Sequence, residues 1–147
     1  MDIPNQLFAV HVASTLYMTG LIWFVQLAHY PLMAKVGPEK YTDYQQAHMK
    51  HTTWAVGPAM LGEVATALAL LFFPCEAYPP LLGFLGIGLL ALVWLSTAAL
   101  QVPAHSILVG GFSPEAHRRL VNTNWIRTLG WSARALLVLS ALVQALP

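Results

Sequence analysis

Four apolar stretches, at 7–33, 52–73, 81–100 and 125–146, dominate this chain and leave little sequence for anything else. A helix needs about 20 mainly apolar residues to cross the hydrocarbon of a bilayer, and each stretch meets that length. Hydrophobic residues make up 57% of the 147 positions and charged residues 9%. The mean hydropathy is +0.61, outside the range of ordinary soluble domains. The sequence therefore predicts an all-α, four-transmembrane-helix bundle, with 1–147 as one domain and the lipid bilayer as its first partner.

The first stretch reads as a retained helix. Its flank, Met1 to Gln6, has no Lys or Arg, and the apolar run is too long for a cleavable signal peptide. Cys75, the single cysteine, lies in the Pro74 to Pro80 turn and rules out an intramolecular disulfide or a CxxC site. Outside the spans, positive charge falls in two connections: Lys35, Lys40 and Lys50 precede the second span, and Arg118 and Arg119 precede the fourth, while the other loop and both termini carry no Lys or Arg. The positive-inside rule places both connections of this multi-pass chain in the cytoplasm, and the termini and the Cys75 turn outside. A net charge of +1 gives no reason to expect nucleic acid as a partner.

Both basic connections carry the same helix-start signal. Gly37-Pro38-Glu39 and Ser113-Pro114-Glu115 each set a small residue, a proline and an acid in the order suited to a cap and first turn. Each begins an amphipathic cytoplasmic extension, at 38–51 and 114–123. Offset by 71 positions, Trp23 meets Trp94, Trp54 meets Trp125, and His51 to Trp54 overlies Asn122 to Trp125. This reads as two hairpin repeats about an axis along the membrane normal, with chance likeness between Trp-rich helices as the alternative.

The same register sets Glu63 against Arg134. At 1.5 Å per residue, Glu63 lies roughly 16 Å into the membrane from Thr52. A charge there is costly, so it is expected to face the interior and be paired or protonated. One reading is an ion pair that docks the hairpins. The other is a functional carboxylate, with Glu63, Arg134, Arg127 and Asn124 as the catalytic candidates.

More polar residues converge on the cytoplasmic half. Gln26, His29 and Tyr30 share a face of the first helix, Thr97, Gln101 and His105 descend the third, and Asn124, Arg127, Thr128 and Trp131 share a face of the fourth. The expected cavity, walled by Trp23, Trp54, Trp94, Trp125 and Trp131, suits a small lipophilic ligand, a metal, or both. Its candidate substrate-binding residues are Trp54, Trp125, Trp131, Gln101, His29 and Tyr30. A transition metal ion would take His48, His51, His105 and Glu63, with His29 in reserve. A carboxylate-bridged di-iron site is disfavoured, because Glu63 is the only acid within the spans.

Plainer readings stand beside these. His48 and His51 would lie on a solvated interfacial face, His105 would cap a helix end near Pro103, and His117 would face water. His11 would be a packing histidine, and Trp54 and Trp125 interfacial anchors.

Gln101-Val-Pro-Ala-His105, followed by His117 to Val121 and Asn124 to Thr128 with Trp131 and Arg134, resembles a group of small bacterial four-helix integral membrane proteins. That likeness spans most of the chain and implies no activity by itself. More distantly, the size and layout resemble the anthrone-oxygenase-like membrane proteins, which implies oxidation of an aromatic, polyketide-like substrate. His11 with Gly20 and Trp23 is similar to helix one of the haem-binding protoporphyrinogen oxidase family. That similarity implies haem as an alternative cofactor, with His11 as its ligand.

The favoured expectation is a membrane oxidoreductase-like enzyme acting on an aromatic or isoprenoid-like molecule that enters from the lipid. The alternatives are a non-enzymatic binder of metal, haem or quinone and a transporter or channel subunit. The last fits poorly with a nearly all-apolar outer half. A homodimer is plausible for four short helices, with Gly83, Gly86 and Gly88 as small residues for close packing, either within the bundle or between subunits.

Overall fold

The computed structural model describes residues 2–145. Leu146, the last residue of the fourth apolar stretch, lies outside them. Four helices account for most of the chain: α1 Ile3–Met33, α2 Pro38–Phe72, α3 Pro80–Val109 and α4 Pro114–Gln144. Each is long and apolar enough to cross a membrane.

Their starts follow the predicted chemistry. The Asp2 carboxylate accepts from the Asn5 amide at 3.1 Å, and Ser113 Oγ accepts from the Ala116 amide at 3.2 Å. Pro38 and Pro114 open α2 and α4, where a missing N–H costs nothing. The two predicted extensions are the first turns of α2 and α4 and do not lie apart. Tyr41, Gln45 and His48 turn into the bundle, as do Ala116 and Leu120.

α3 is longer than expected. The predicted apolar span ends at residue 100, whereas the helix continues to Val109. The reason is a π turn at Thr97–Gln101, matched in α1 by another at Val25–His29. Each precedes a proline, Pro103 and Pro31. A proline ring inside a helix clashes with the carbonyl four residues back. The wider turn moves that carbonyl aside and lets the helix run on.

The helices form a ring in chain order. α1 packs on α2 and α4, α3 packs on α4, and the α2–α3 seam is the loosest of the four. α2 and α4 thus face each other across the diagonal. Two buried apolar clusters fill the interior. One holds Met18, Tyr41, Leu108, Leu120 and Trp131, the other Phe8, Val12, Leu70, Tyr78 and Val138.

Two glycines permit close approach. A Cβ on Gly130 would stand 2.7 Å from Val93 Cγ2, which fixes how near α4 lies to α3. A Cβ on Gly86 would stand 2.5 Å from the Tyr78 hydroxyl. Of the glycines expected to allow packing, Gly83 and Gly86 serve the bundle interior, and Gly88 faces open space.

Candidate functional site

The interior is polar at two levels. At mid-depth, Glu63 Oε1 accepts from Arg134 Nε at 2.9 Å and from Thr15 Oγ1 at 2.8 Å. Glu63 Oε2 accepts from Trp131 Nε1 at 3.0 Å. Among the described residues this is the one ion pair, and both side chains are buried. It crosses the α2–α4 diagonal, as the register of the sequence predicted for residues of equal depth.

The rest of the Arg134 guanidinium is also engaged. Nη1 donates to the Gly86 carbonyl, and Nη2 faces His11 Nε2 at 3.4 Å. His11 Nδ1 meets Thr66 Oγ1 at 2.9 Å. A buried charge pair is tolerable only when its remaining donors and acceptors are met, and here three side chains, Thr15, Trp131 and His11, and the Gly86 carbonyl meet them. Both ring nitrogens of His11 are occupied, so the haem-ligand expectation finds no free nitrogen on that ring.

The second level lies toward the Lys/Arg-bearing connections. A cavity of about 110 Å³ opens between the helices, a volume to be set against the roughly 30 Å³ of one water. Tyr30, His48, Thr97, Gln101, His105 and Arg127 supply its polar lining, and Met18, Ile22, Val25 and Val56 part of its apolar lining.

Hydrogen bonding orders its histidines. Gln45 Nε2 donates to His105 Nδ1 at 2.9 Å. The neutral imidazole then carries its proton on Nε2, which lies 3.0 Å from the Tyr30 hydroxyl. Tyr30 accepts from His105 and keeps its own proton to donate. His48 Nδ1 meets His29 Nε2 at 2.8 Å and Thr52 Oγ1 at 3.1 Å. Ring centroids step from His29 to His48 by 4.7 Å and from His48 to His105 by 5.1 Å.

Arg127 forms the cavity's charged wall. Its Nη1 donates to Asn124 Oδ1 at 3.2 Å, and it faces the Tyr30 phenol. Its guanidinium carbon lies 5.3 Å from the centre of the Trp131 ring. Asn124 is held in turn by donating to Gln26 Oε1 at 2.9 Å, an oxygen that also accepts from Thr128 at 3.3 Å. Arg127 is buried, with 7% exposure, and among the described residues its Nε has no hydrogen-bond partner.

The expected metal set does not converge. His51 is exposed, because it lies three residues beyond His48 and turns off the buried face. Glu63 is committed to Arg134. Among the described residues no group of three His, Cys, Asp or Glu side chains could hold a metal ion. His29, His48 and His105 are neighbours, but the facing nitrogens of His29 and His48 are spent on one another, and those of His105 on Tyr30 and Gln45.

The tryptophans also differ from expectation. Trp54 is 74% exposed and borders a shallow depression with Tyr17 and Pro58 on the outside of the α1–α2 pair. Trp125 packs edge-on against Trp23 at 5.7 Å on the outer surface. Trp131 is fully buried behind Arg127 and braces the wall without lining the cavity. An indole is apolar with one donor, so interfaces suit it as well as cavities do, and spacing alone does not separate the two.

His117 faces inward: its Nε2 donates to the Tyr30 carbonyl at 2.7 Å, meeting an acceptor near the end of α1. Gln45, Thr15 and Thr66 also escaped the sequence reading. Gln45 had a visible signal, three residues before His48 in an amphipathic stretch. Thr15 and Thr66 had none, since hydroxyls are common in apolar helices. The chain matches no family model, no curated protein and no solved structure, so the resemblances drawn from its motifs rest on those motifs.

Proposed function

We propose that this chain is a multi-pass membrane enzyme, oxidoreductase-like, that takes a small aromatic or isoprenoid-like molecule from the lipid into the Tyr30–His105–Arg127 cavity. The observation that carries the reading is the ordered chain Gln45–His105–Tyr30 ending at a cavity beside an arginine. An imidazole hydrogen-bonded to a phenolic hydroxyl gives a group able to donate or recover a proton. A buried guanidinium next to it stabilises negative charge that develops on an oxygen. The chain's own residues thus supply proton transfer at an oxygen-bearing carbon framework, a step shared by oxidation of phenols and isomerisation of enones.

In this reading Glu63 and Arg134 dock α2 onto α4, and Asn124 positions Arg127. The cavity faces the cytoplasm, because it lies near the ends that carry Lys35, Lys40, Arg118 and Arg119. The hairpin-repeat reading gains support from the paired π turns, each one residue short of a proline. It gains more from the meeting of Glu63 and Arg134 on the diagonal, where equivalent positions of two repeats meet.

The test compares lipid extracts of membranes carrying wild type, Tyr30→Phe, His105→Gln or empty vector by mass spectrometry. Wild type is expected to deplete or accumulate at least one lipophilic compound relative to vector, and Tyr30→Phe to abolish that change. Extracts of wild type identical to vector, with folded protein present, overturn the enzyme reading. A lipophile that copurifies without chemical change points to a binder.

A further inference from the structure

Counting charge inside the bundle leaves an imbalance. Among the described residues the buried acidic and basic side chains, histidines aside, are Glu63, Arg127 and Arg134. Glu63 neutralises Arg134. Arg127 has dipoles around it, from Asn124 and Tyr30, and the face of Trp131, but among the described residues no carboxylate pairs with it. Charges inside a membrane protein pair with one another or mark the path of a substrate or ion. The cavity that Arg127 borders contains no acidic side chain, and the buried Nε still has a proton to donate.

A second feature lies along the same seam. Val64, Ala67 and Leu68 of α2 and Ile87, Leu90 and Trp94 of α3 line an apolar groove of about 260 Å³. On α3, Trp94 in the groove is three residues from Thr97 in the cavity, about 4.5 Å along the axis. On α2, Val64 in the groove is eight residues from Val56 in the cavity, about 12 Å. Groove and cavity therefore follow one another along the loosest interface of the bundle.

We infer that the pair forms one site for an anionic amphiphile, a long-chain carboxylate, with its head at Arg127 and its hydrocarbon tail in the α2–α3 groove. This rests on the reading of the cavity as a ligand site and adds what the ligand must carry. Guanidinium and carboxylate match in charge and in fork geometry. The Tyr30 hydroxyl lies beside them as a further donor. A head cavity of about 110 Å³ suits a carboxylate better than the much larger head of a glycerophospholipid. The groove offers hydrocarbon walls without polar competitors.

The experiment measures binding of labelled hexadecanoate and hexadecan-1-ol to full-length protein in zwitterionic nanodiscs at pH 8, corrected for uptake by empty discs. Charge-assisted hydrogen bonds make wild type prefer hexadecanoate by about tenfold or more. Arg127→Met removes that preference, bringing hexadecanoate binding down to about that of hexadecan-1-ol. Arg127→Lys, which keeps the charge if the guanidinium is needed for folding, retains a preference for the acid. Ala91 also lines the α3 side of the groove, and Ala91→Trp, which fills it, weakens both long-chain probes. Equal binding of acid and alcohol by wild type overturns the proposal, as does an undiminished acid preference in Arg127→Met. If acid and alcohol bind equally and Tyr30→Phe still abolishes turnover in lipid extracts, this proposal fails while the enzyme reading stands. If Arg127-dependent acid binding is found but extracts never change, the reverse holds.

Discussion

The guanidinium of Arg127 lies over the face of Trp131, 5.3 Å from the ring centre. The edge of the same indole donates to Glu63 at 3.0 Å. One ring thus separates an arginine that has no acid from an arginine that has one. It draws on two properties of indole, a negative face for a cation and a single N–H for an anion. Trp131→Phe keeps a face and loses the donor, leaving one oxygen of a buried carboxylate unmet. An unmet buried acceptor costs about 1–3 kcal/mol, so the melting temperature in detergent is expected to fall. A melting temperature equal to wild type would mean that water replaces the indole donor.

Glu63→Gln leaves Arg134 charged and unpaired at mid-membrane, and Arg134→Gln does the same to Glu63. Breaking one side of a buried pair costs about 3–5 kcal/mol. The double substitution is expected to cost clearly less than the two singles together, as read by thermal or denaturant unfolding in matched detergent. Strict additivity in that cycle would reject direct coupling.

Gly86→Ala brings a methyl to 2.5 Å from the Tyr78 hydroxyl, beside the carbonyl that receives Arg134. Overpacking of this kind costs about 1–3 kcal/mol. Adding Tyr78→Phe removes the clashing oxygen and is expected to recover part of the loss in thermal stability. No recovery would show that displacement of Arg134 dominates.

His48→Ala and His51→Ala separate the buried face of α2 from the exposed one. The first removes a ring stacked between His29 and His105 and is expected to lower thermal stability measurably. The second removes an exposed ring and is expected to stay within about 0.5 kcal/mol of wild type. Equal losses would place His51 in an interaction of its own.

Topology is testable with single cysteines in a Cys75→Ser background. Cysteines replacing Lys40 and Arg118 are expected to resist a membrane-impermeant maleimide in intact cells and to react after lysis. A cysteine replacing Asp2 is expected to react in both. Inverted labelling would reverse the orientation drawn from the positive charges.

The helices were legible because apolar length and the proline-led starts at Pro38 and Pro114 are local signals. The pairing of Glu63 with Arg134 was legible too, because few charges lie deep and the offset brought them level. The two π turns were not. Pro31 and Pro103 announce trouble in a helix, but whether the backbone kinks, stops or widens depends on what packs around it. The inward face of α4, from Asn124 to Trp131, followed from spacing, whereas the missing partner of Arg127 became apparent only once every neighbour was in place. Trp54 and Trp125 misled because aromatic residues suit a membrane surface and a cavity wall equally.

The diagonal pairing of Glu63 with Arg134 also bears on how the chain is made. α4 carries two buried arginines and is the least apolar of the four helices. An arginine at mid-membrane, where Arg134 lies, costs about 2.5–3.5 kcal/mol on insertion, and the acid that offsets it resides in α2. α4, made after α2, is therefore a helix that depends on one already delivered. Glu63→Gln is expected to lower the fraction of newly made chains in which α4 crosses the bilayer, read by a glycosylation acceptor fused to the C terminus. Unchanged glycosylation would mean that α4 enters unaided and meets Glu63 only afterwards.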